Sequence, residues 1–556
     1  MLHCWVAERD GLGVRVSDTR EAAQATTSDG QEYPQRAAVG MGLAYWAGVT
    51  PQRQAISSPK GSRTFAQLNE RANALARGLR RRDLNGGDGV ALLCSNRPEF
   101  VEVFAASERA GFRLIPVSWH LTSDEIGYII KDSGARAVIA GAEFAASMPE
   151  SVGGVGVRLA IGGDIEGFER YEAVIAAEDV TDVTDPVRGT TMLYTSGTTG
   201  RPKGVFREQP PSVSSANVGV YDYRHETDSH LCTGPLYHAA PLAFSLIVPL
   251  LAGVRVVLMQ TWDAAAALTL IEQERITHTH LVPTMFHRLL SLPASVRAAA
   301  DVSSLRFVIH GAAPCPVTVK QAMMDWLGPI IWEYYAATEG VGTLCDPATW
   351  LAHPGTVGKA LVPGGLLVGD HDARPVPPET VGTVWLKAPE EGRFRYWGDH
   401  AKTVGTYRGD YFTLGDVGRM NADGFLYLTD RSADLIISGG VNVYPAEVDG
   451  VLLDHPAVAD VGTIGVADLE WGEEVLSVVE LVAGVEPDAL LAQELINWCR
   501  TRLARYKCPR RIEFIDHLPR TPAGKLPRQT LREQYRPNGV ATPATGAPSP
   551  PTSWDI

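Results

Sequence analysis

Helix-length and strand-length patterns alternate along the chain from residue 64, and this alternation limits its architecture more than any other feature. Thr64-Phe65-Ala66-Gln67 has the spacing of a capping box, in which two side chains satisfy free backbone N–H groups at a helix start. Leu68, Ala72, Leu75, Ala76 and Leu79 then recur on one helical face. A strand is expected at 89–94, a helix at 98–110, a strand at 114–117, a helix at 123–132 and a strand at 137–140. Elements alternating over such short connections imply an α/β architecture with largely parallel sheets and right-handed crossovers. Residues 151–188 show no clear period.

Further along, four strand-like runs end in small or polar residues: 191–195, 277–284, 305–314 and 330–340. Open α/β sheets bind ligands at the carboxyl ends of their strands, so these ends are where a site is expected. Residues 365–430 read as a β-rich subdomain, and 430–434 as a joint. Beyond the joint lie a strand at 475–482, a helix at 487–504 and a strand at 511–515. That helix carries Leu491, Leu495, Trp498, Cys499 and Leu503 on one stripe. The expected organisation is a poorly ordered leader (1–35), a large domain (36–432), a small domain (433–536) and a disordered Pro/Ala-rich tail (537–556).

Several function classes fall away. A net charge of −14 lacks the basic footprint of a nucleic-acid binder. Seven scattered cysteines without a C-x-x-C are expected to be reduced thiols, neither staples nor zinc ligands, in a cytoplasmic protein. No secretory leader is read at the N-terminus. Residues 239–259 are almost wholly apolar, but Pro241, Pro249, Gly253 and Arg255 interrupt them, so a buried helix and strand are expected in place of an integral membrane span. Peripheral membrane contact and a homodimer stay open.

The chemistry centres on Leu193-Tyr194-Thr195-Ser196-Gly197-Thr198-Thr199-Gly200-Arg201-Pro202-Lys203-Gly204. Its glycines allow close backbone approach to a ligand, its hydroxyls and N–H groups suit phosphate oxygens, and Lys203 adds a positive charge. The spacing is not that of the common G-x-x-x-x-G-K-[ST] loop. The run resembles the phosphate loop of the adenylate-forming superfamily, which includes acyl-CoA synthetases, luciferases and peptide-synthetase adenylation domains. The resemblance extends over roughly residues 40–535 and is strongest to bacterial fatty-acyl-CoA synthetases.

That resemblance implies an α/β fold: a large N-terminal domain of two stacked α/β sheets plus a β-rich subdomain, with a small mobile α+β C-terminal domain. It implies ATP and coenzyme A as co-substrates, Mg²⁺ as cofactor and a carboxylic acid, expected to be fatty, as the group activated. An aryl or steroid-side-chain acid, a stand-alone enzyme loading a carrier protein, and a nucleotide-binding regulator are the other readings. Nucleotide contacts fall on Thr195, Ser196, Gly197, Thr198, Thr199, Gly200 and Lys203. They continue at Gly311, Ala312, Ala313, Tyr335, Ala336 and Thr338. Glu339 takes the place of the family's metal-associated glutamate. Asp416 and Arg431 match the residues that hold the ribose, and Lys525 matches the late catalytic lysine. Thr195 and His238 join Glu339 and Lys525 as catalytic candidates. Tyr237, His238, Ala312 and Ala336 are expected around the acyl group. Ser438, Gly439, Gly440 and Lys507 resemble the coenzyme A contacts, and the family's hinge falls on Ala433. The family usually has Gly at the Ala336 position and Thr at Leu414.

Overall fold

The computed structural model describes residues 32–195, 202–208, 219–431, 434–438, 441–468, 471–521 and 524–535. It separates into two units: Met1–Leu428 with Pro522–Lys525, and Thr429–Thr521 with Leu526–Ile556.

In the first unit, Thr64 Oγ1 accepts from the Gln67 backbone N–H at 3.2 Å and Gln67 Oε1 accepts from the Thr64 N–H at 3.0 Å. The helix so capped, Phe65–Arg80, buries Leu68, Leu75 and Leu79 completely. Each such side chain contributes roughly 1.5–3 kcal/mol on removal from water. The helices Pro98–Ala110 and Ser123–Asp132 follow as expected, the first ended by Gly111 at φ +78°. Six parallel strands make the first sheet, in the order Glu169–Arg170, Val157–Ile161, Ala135–Gly141, Gly89–Leu93, Arg113–Pro116 and Thr190–Thr191. Two of these lie in the segment without a clear period.

A nine-stranded sheet is the second layer. Its parallel centre runs Ile331–Ala337, Phe307–His310, His278–Leu281, Ser229–Cys232, Arg255–Leu258 and Gln54–Ser58. Gly340–Cys345 and Lys359–Ala360 close one edge antiparallel, and Gly61–Thr64 the other. One apolar cluster joins the two layers, with Val90 and Leu92 of the first and Ile56, Val256 and Leu258 of the second. Residues 365–430 form a five-stranded antiparallel sheet, as the Gly and Asp turns imply.

Two expectations are adjusted, and that for the apolar run holds. The strand expected to end at Val282-Pro283-Thr284 stops at Leu281, because Pro283 opens a helix to Leu290. Residues 32–35, assigned to a poorly ordered leader, belong to the helix Glu32–Ala38, held by Tyr33, whose hydroxyl donates to the Leu251 carbonyl at 2.6 Å. The apolar run becomes the π-helix Pro241–Ile247, the α-helix Val248–Leu251 and the strand Arg255–Leu258. Among the described residues no helix is long and apolar enough to cross a membrane.

In the second unit Val458–Asp468 and Gly472–Leu481 pair antiparallel, and Arg511–Phe514 adds parallel to the latter. The helix here is shorter than expected, Ala489–Arg500, starting where Asp488 caps the Leu491 N–H. Ile496 joins Leu495 and Cys499 in the buried stripe, while Trp498 stays half-buried with its indole N–H on the Val451 carbonyl.

Candidate active site

Ser196, Gly197, Thr198, Thr199 and Gly200 of the expected phosphate motif lie outside the described residues, as do Gly439, Gly440 and Ala433. The two sides of the loop are described. Leu193–Thr195 and Lys203–Phe206 pair antiparallel with Thr195 opposite Lys203, so the loop closes a hairpin whose mouth those two residues form. The Lys203 ammonium lies 3.4 Å from Asp399 Oδ2.

Glu339 stands beside this hairpin's own sheet. Thr338 and Glu339 make the tight turn between Ile331–Ala337 and Gly340–Cys345. Arg207, just past the hairpin strand, donates to the carbonyls of both turn residues, which anchors the turn's backbone. The Glu339 side chain is buried, and Tyr396 Oη donates to its Oε1 at 2.9 Å. Tyr396 sits opposite Val205 on the next strand, so the hairpin, Tyr396 and Glu339 form one connected group. The sequence gives no local signal for Tyr396 or Arg207. Their roles come from strand pairing across almost 200 residues.

Asp416 is buried and accepts the Tyr335 hydroxyl at 2.6 Å. Gly415, at φ +81°, supplies a backbone turn in the Leu-Gly-Asp run that most residues resist. After Phe307–His310 the chain turns through Gly311, Ala312 and Ala313. A Cβ on Gly311 would lie 2.6 Å from the Tyr334 carbonyl oxygen, so only glycine fits. Ala312 holds φ +67°, a left-handed conformation that costs an L-residue about 1–2 kcal/mol. Strain of this kind collects at functional loops. A register shift between Tyr335 and Ala336 marks a bulge beside the same place. Arg431 ends the strand Leu426–Arg431.

Successive strand residues face opposite sides of a sheet. Tyr335 meets Asp416, so Tyr334 and Ala336 face the other way. There they join Tyr221, Phe244, Phe307, Ile309 and Ala240 in one apolar cluster. The Tyr334 and Phe244 rings are 4.5 Å apart, and the Tyr334 hydroxyl meets His280 Nε2 at 2.9 Å. Burial pushes His280 down to about 3, with His310 adding to the shift, so its ring is neutral and shares one hydrogen bond with the tyrosine hydroxyl. Tyr237 is buried with its ring edge-on to Trp119 at 4.6 Å, and lies 4.5 Å from the His238 ring. His238 Nε2 is shielded without a hydrogen-bond partner. Burial first, then the charges of Lys525 and His120, press His238 down to about 3, so it too is a neutral imidazole.

Pro522–Lys525 groups with the first unit. Gly524, at φ +77°, places its Cα where a side chain would strike Thr284 Oγ1 at 2.6 Å. In the second unit Ser438 is buried at the end of the short strand Ile436–Ser438. Lys507 donates to both Glu447 oxygens at 2.6 and 2.8 Å, so its ammonium already has a carboxylate partner.

Among the described residues no group of three or more His, Cys, Asp or Glu side chains could hold a metal ion. The Glu339 carboxylate lies in the same connected group as the Thr195–Lys203 hairpin.

The model of the AMP-binding enzyme family matches residues 43–394, and that of the AMP-binding enzyme C-terminal domain residues 447–525. A 2-succinylbenzoate–CoA ligase of Geobacillus kaustophilus is 36% identical over 493 residues, 87% of this chain and 95% of that protein. A long-chain-fatty-acid–CoA ligase of Mycobacterium tuberculosis is 32% identical over 507 residues, 89% of this chain and 98% of that protein. The crystal structure of the anthranilate CoA ligase AuaEII with anthranoyl-AMP superposes with a TM-score of 0.80 at 25% identity, covering 90% of this chain and 97% of that one. With both family models matched in order along the chain and relatives similar over nearly their whole length, this protein belongs to the AMP-binding, adenylate-forming enzyme family.

Proposed function

We propose that this chain is an AMP-forming acyl-CoA ligase. A carboxylate oxygen bonds to the α-phosphorus of ATP, the bond from that phosphorus to the β-phosphate oxygen breaks, and pyrophosphate departs with the electron pair. The thiolate of coenzyme A then attacks the acyl carbonyl and AMP leaves. The observation that carries the reading is the convergence of three separate segments on the first unit's strand ends: the Thr195–Lys203 hairpin, the Thr338–Glu339 turn and the Tyr335–Asp416 pair.

The roles follow from the chemistry of each group. Thr195, Lys203 and the loop between them hold the phosphates. Glu339, fixed by Tyr396 and Arg207, would hold Mg²⁺, which when bound neutralises charge on phosphate oxygens. Asp416 accepts ribose hydroxyls, with Arg431 as the second ribose contact, and Gly311, Ala312, Ala313, Ala336 and Thr338 surround the adenine. A neutral His238 walls the acyl carboxylate without forming an ion pair that would blunt its nucleophilicity. Lys525 supplies positive charge as the α-phosphoryl group becomes crowded with oxygen. Residues 36–432 serve adenylation, and residues 433–536 bring Lys525 and the coenzyme A contacts Ser438, Gly439, Gly440 and Lys507. For Lys507 to meet a coenzyme A phosphate it must exchange Glu447 for it.

For the acid, we favour an aromatic or similarly compact carboxylic acid over the long fatty chain that the sequence resemblance suggests. What supports this is the wall of rings formed by Tyr334, Phe244, Tyr221 and Phe307, with Tyr334 tied to His280. A long chain would have to displace packed aromatic side chains. The test is Mg²⁺-dependent ATP–pyrophosphate exchange over benzoates, cinnamates, octanoate and palmitate, followed by thioester formation with coenzyme A. The highest kcat/KM is expected with a ring acid, and Tyr334→Ala is expected to extend the range to longer acids. Preference for palmitate would restore the fatty reading. Thioester formed only on a carrier protein would replace coenzyme A, and no exchange with any acid would leave a nucleotide-binding regulator.

A further inference from the structure

Beside Glu339 the structure gathers more positive charge than the predicted site residues provide. Lys402 lies in the first turn of the helix His400–Thr406, whose cap is Asp399: Oδ1 accepts the Lys402 backbone N–H at 2.9 Å. The other oxygen of the same carboxylate faces the Lys203 ammonium at 3.4 Å. The Lys402 side chain folds back over the Tyr396 ring, its Nζ 4.5 Å from the ring centroid. Tyr396 is the residue whose hydroxyl donates to Glu339. Lys402 thus joins Lys203, Asp399, Tyr396 and Glu339, and Arg207 holds the Glu339 turn from behind. The Lys402 ammonium is held below its ordinary range, first by burial and then by Lys203, while Glu339 and Asp399 pull the other way.

Two ammonium groups set together repel each other, and Asp399 and Glu339 offset that only in part, since burial and Lys203 still hold Lys402 below its ordinary range. A polyanion does. Lys203 arrives from the phosphate hairpin, so the anion that fits is the portion of ATP that leaves. We propose that Lys402 is a second pyrophosphate-binding cation, acting beside Lys203 on the β- and γ-phosphates before the bond to the α-phosphorus breaks and on free pyrophosphate afterwards. The electron pair of the broken P–O bond leaves on pyrophosphate. This inference rests on the adenylate-forming reading, but its test does not require the acid to be known.

Inorganic pyrophosphate is titrated into the full chain by calorimetry, with and without Mg²⁺, for wild type, Lys402→Met and Lys402→Arg. Loss of one hydrogen bond to a charged group corresponds to roughly 10- to 100-fold weaker binding. Lys402→Met should show that loss, and Lys402→Arg should stay within about threefold of wild type because the charge is kept. In exchange assays Lys402→Met should raise the KM for pyrophosphate and leave the KM for the acid unmoved. Urea midpoints check folding, and Lys402→Gln replaces the Met variant if that one is unfolded. Unchanged pyrophosphate affinity in a folded Lys402→Met, or an arginine variant as weak as the methionine one, overturns the proposal. A wild type that binds pyrophosphate but exchanges with no acid refutes the enzyme reading and leaves this site standing.

Discussion

Acidification should destabilise the first unit through histidines that folding keeps neutral. His278 and His280 lie on the strand His278–Leu281 with 0% and 2% of their surface exposed. Burial pushes His280 down to about 3 and His278 to about 4. His278 Nε2 donates to the Tyr221 carbonyl at 2.7 Å, and its Nδ1 meets the Thr277 hydroxyl at 2.8 Å. In the unfolded chain each histidine titrates near 6.5. Below that value the unfolded state binds the extra proton and the folded state does not. The stabilisation is therefore complete above about pH 7 and is lost as pH falls from 6.5 towards the folded values. Between pH 7.5 and 5 each group accounts for about 2 kcal/mol, and the pair for about 4 kcal/mol. That is a large part of the 5–15 kcal/mol typical of a folded domain. The assay is urea unfolding of the first unit's transition from pH 7.5 to 5, for wild type and His280→Gln. His280→Gln should be less stable at pH 7.5, because Tyr334 loses its partner, yet lose less on acidification, its slope at pH 5.5 reduced by about one proton. Identical slopes for the two proteins would refute the assignment of His280 as a buried neutral imidazole.

Other outcomes follow from the site. Lys525→Ala should lower adenylation by roughly 10²–10³, as for removal of one preorganised donor, while thioester formation from pre-made acyl adenylate is spared. Equal loss in both half-reactions would remove Lys525 from the first. Gly311→Ala sets a methyl 2.6 Å from the Tyr334 carbonyl, an overpacking expected to cost about 1–3 kcal/mol in urea unfolding and to depress pyrophosphate exchange. A variant as stable and as active as wild type would contradict the packing described.

The order of elements was legible because it rests on local rules. A capping box, an apolar stripe at helical spacing and a run of strand residues act over a few positions, so the helices Phe65–Arg80, Pro98–Ala110 and Ser123–Asp132 could be read with little error. The Thr195–Lys203 run and Glu339 stood out for a different reason: short runs of fixed residue types carry their resemblance to the family. Other features had no such signal. Nothing near Tyr396 announces that its hydroxyl meets a glutamate 57 residues earlier, and nothing near Lys402 pairs it with Lys203. The strand pairing of Val205 with Tyr396 decides both, and pairing across such distances depends on the whole sheet. The apolar cluster around Tyr334 is similar. Sequence supplied His238 and Ala336 by resemblance alone, and the alternation of Tyr334 and Tyr335 across one strand, and the neutrality of His280 beneath, exist only once the core has closed around them. Local propensity is written residue by residue, whereas burial, charge state and the meeting of distant side chains are properties of the packed molecule.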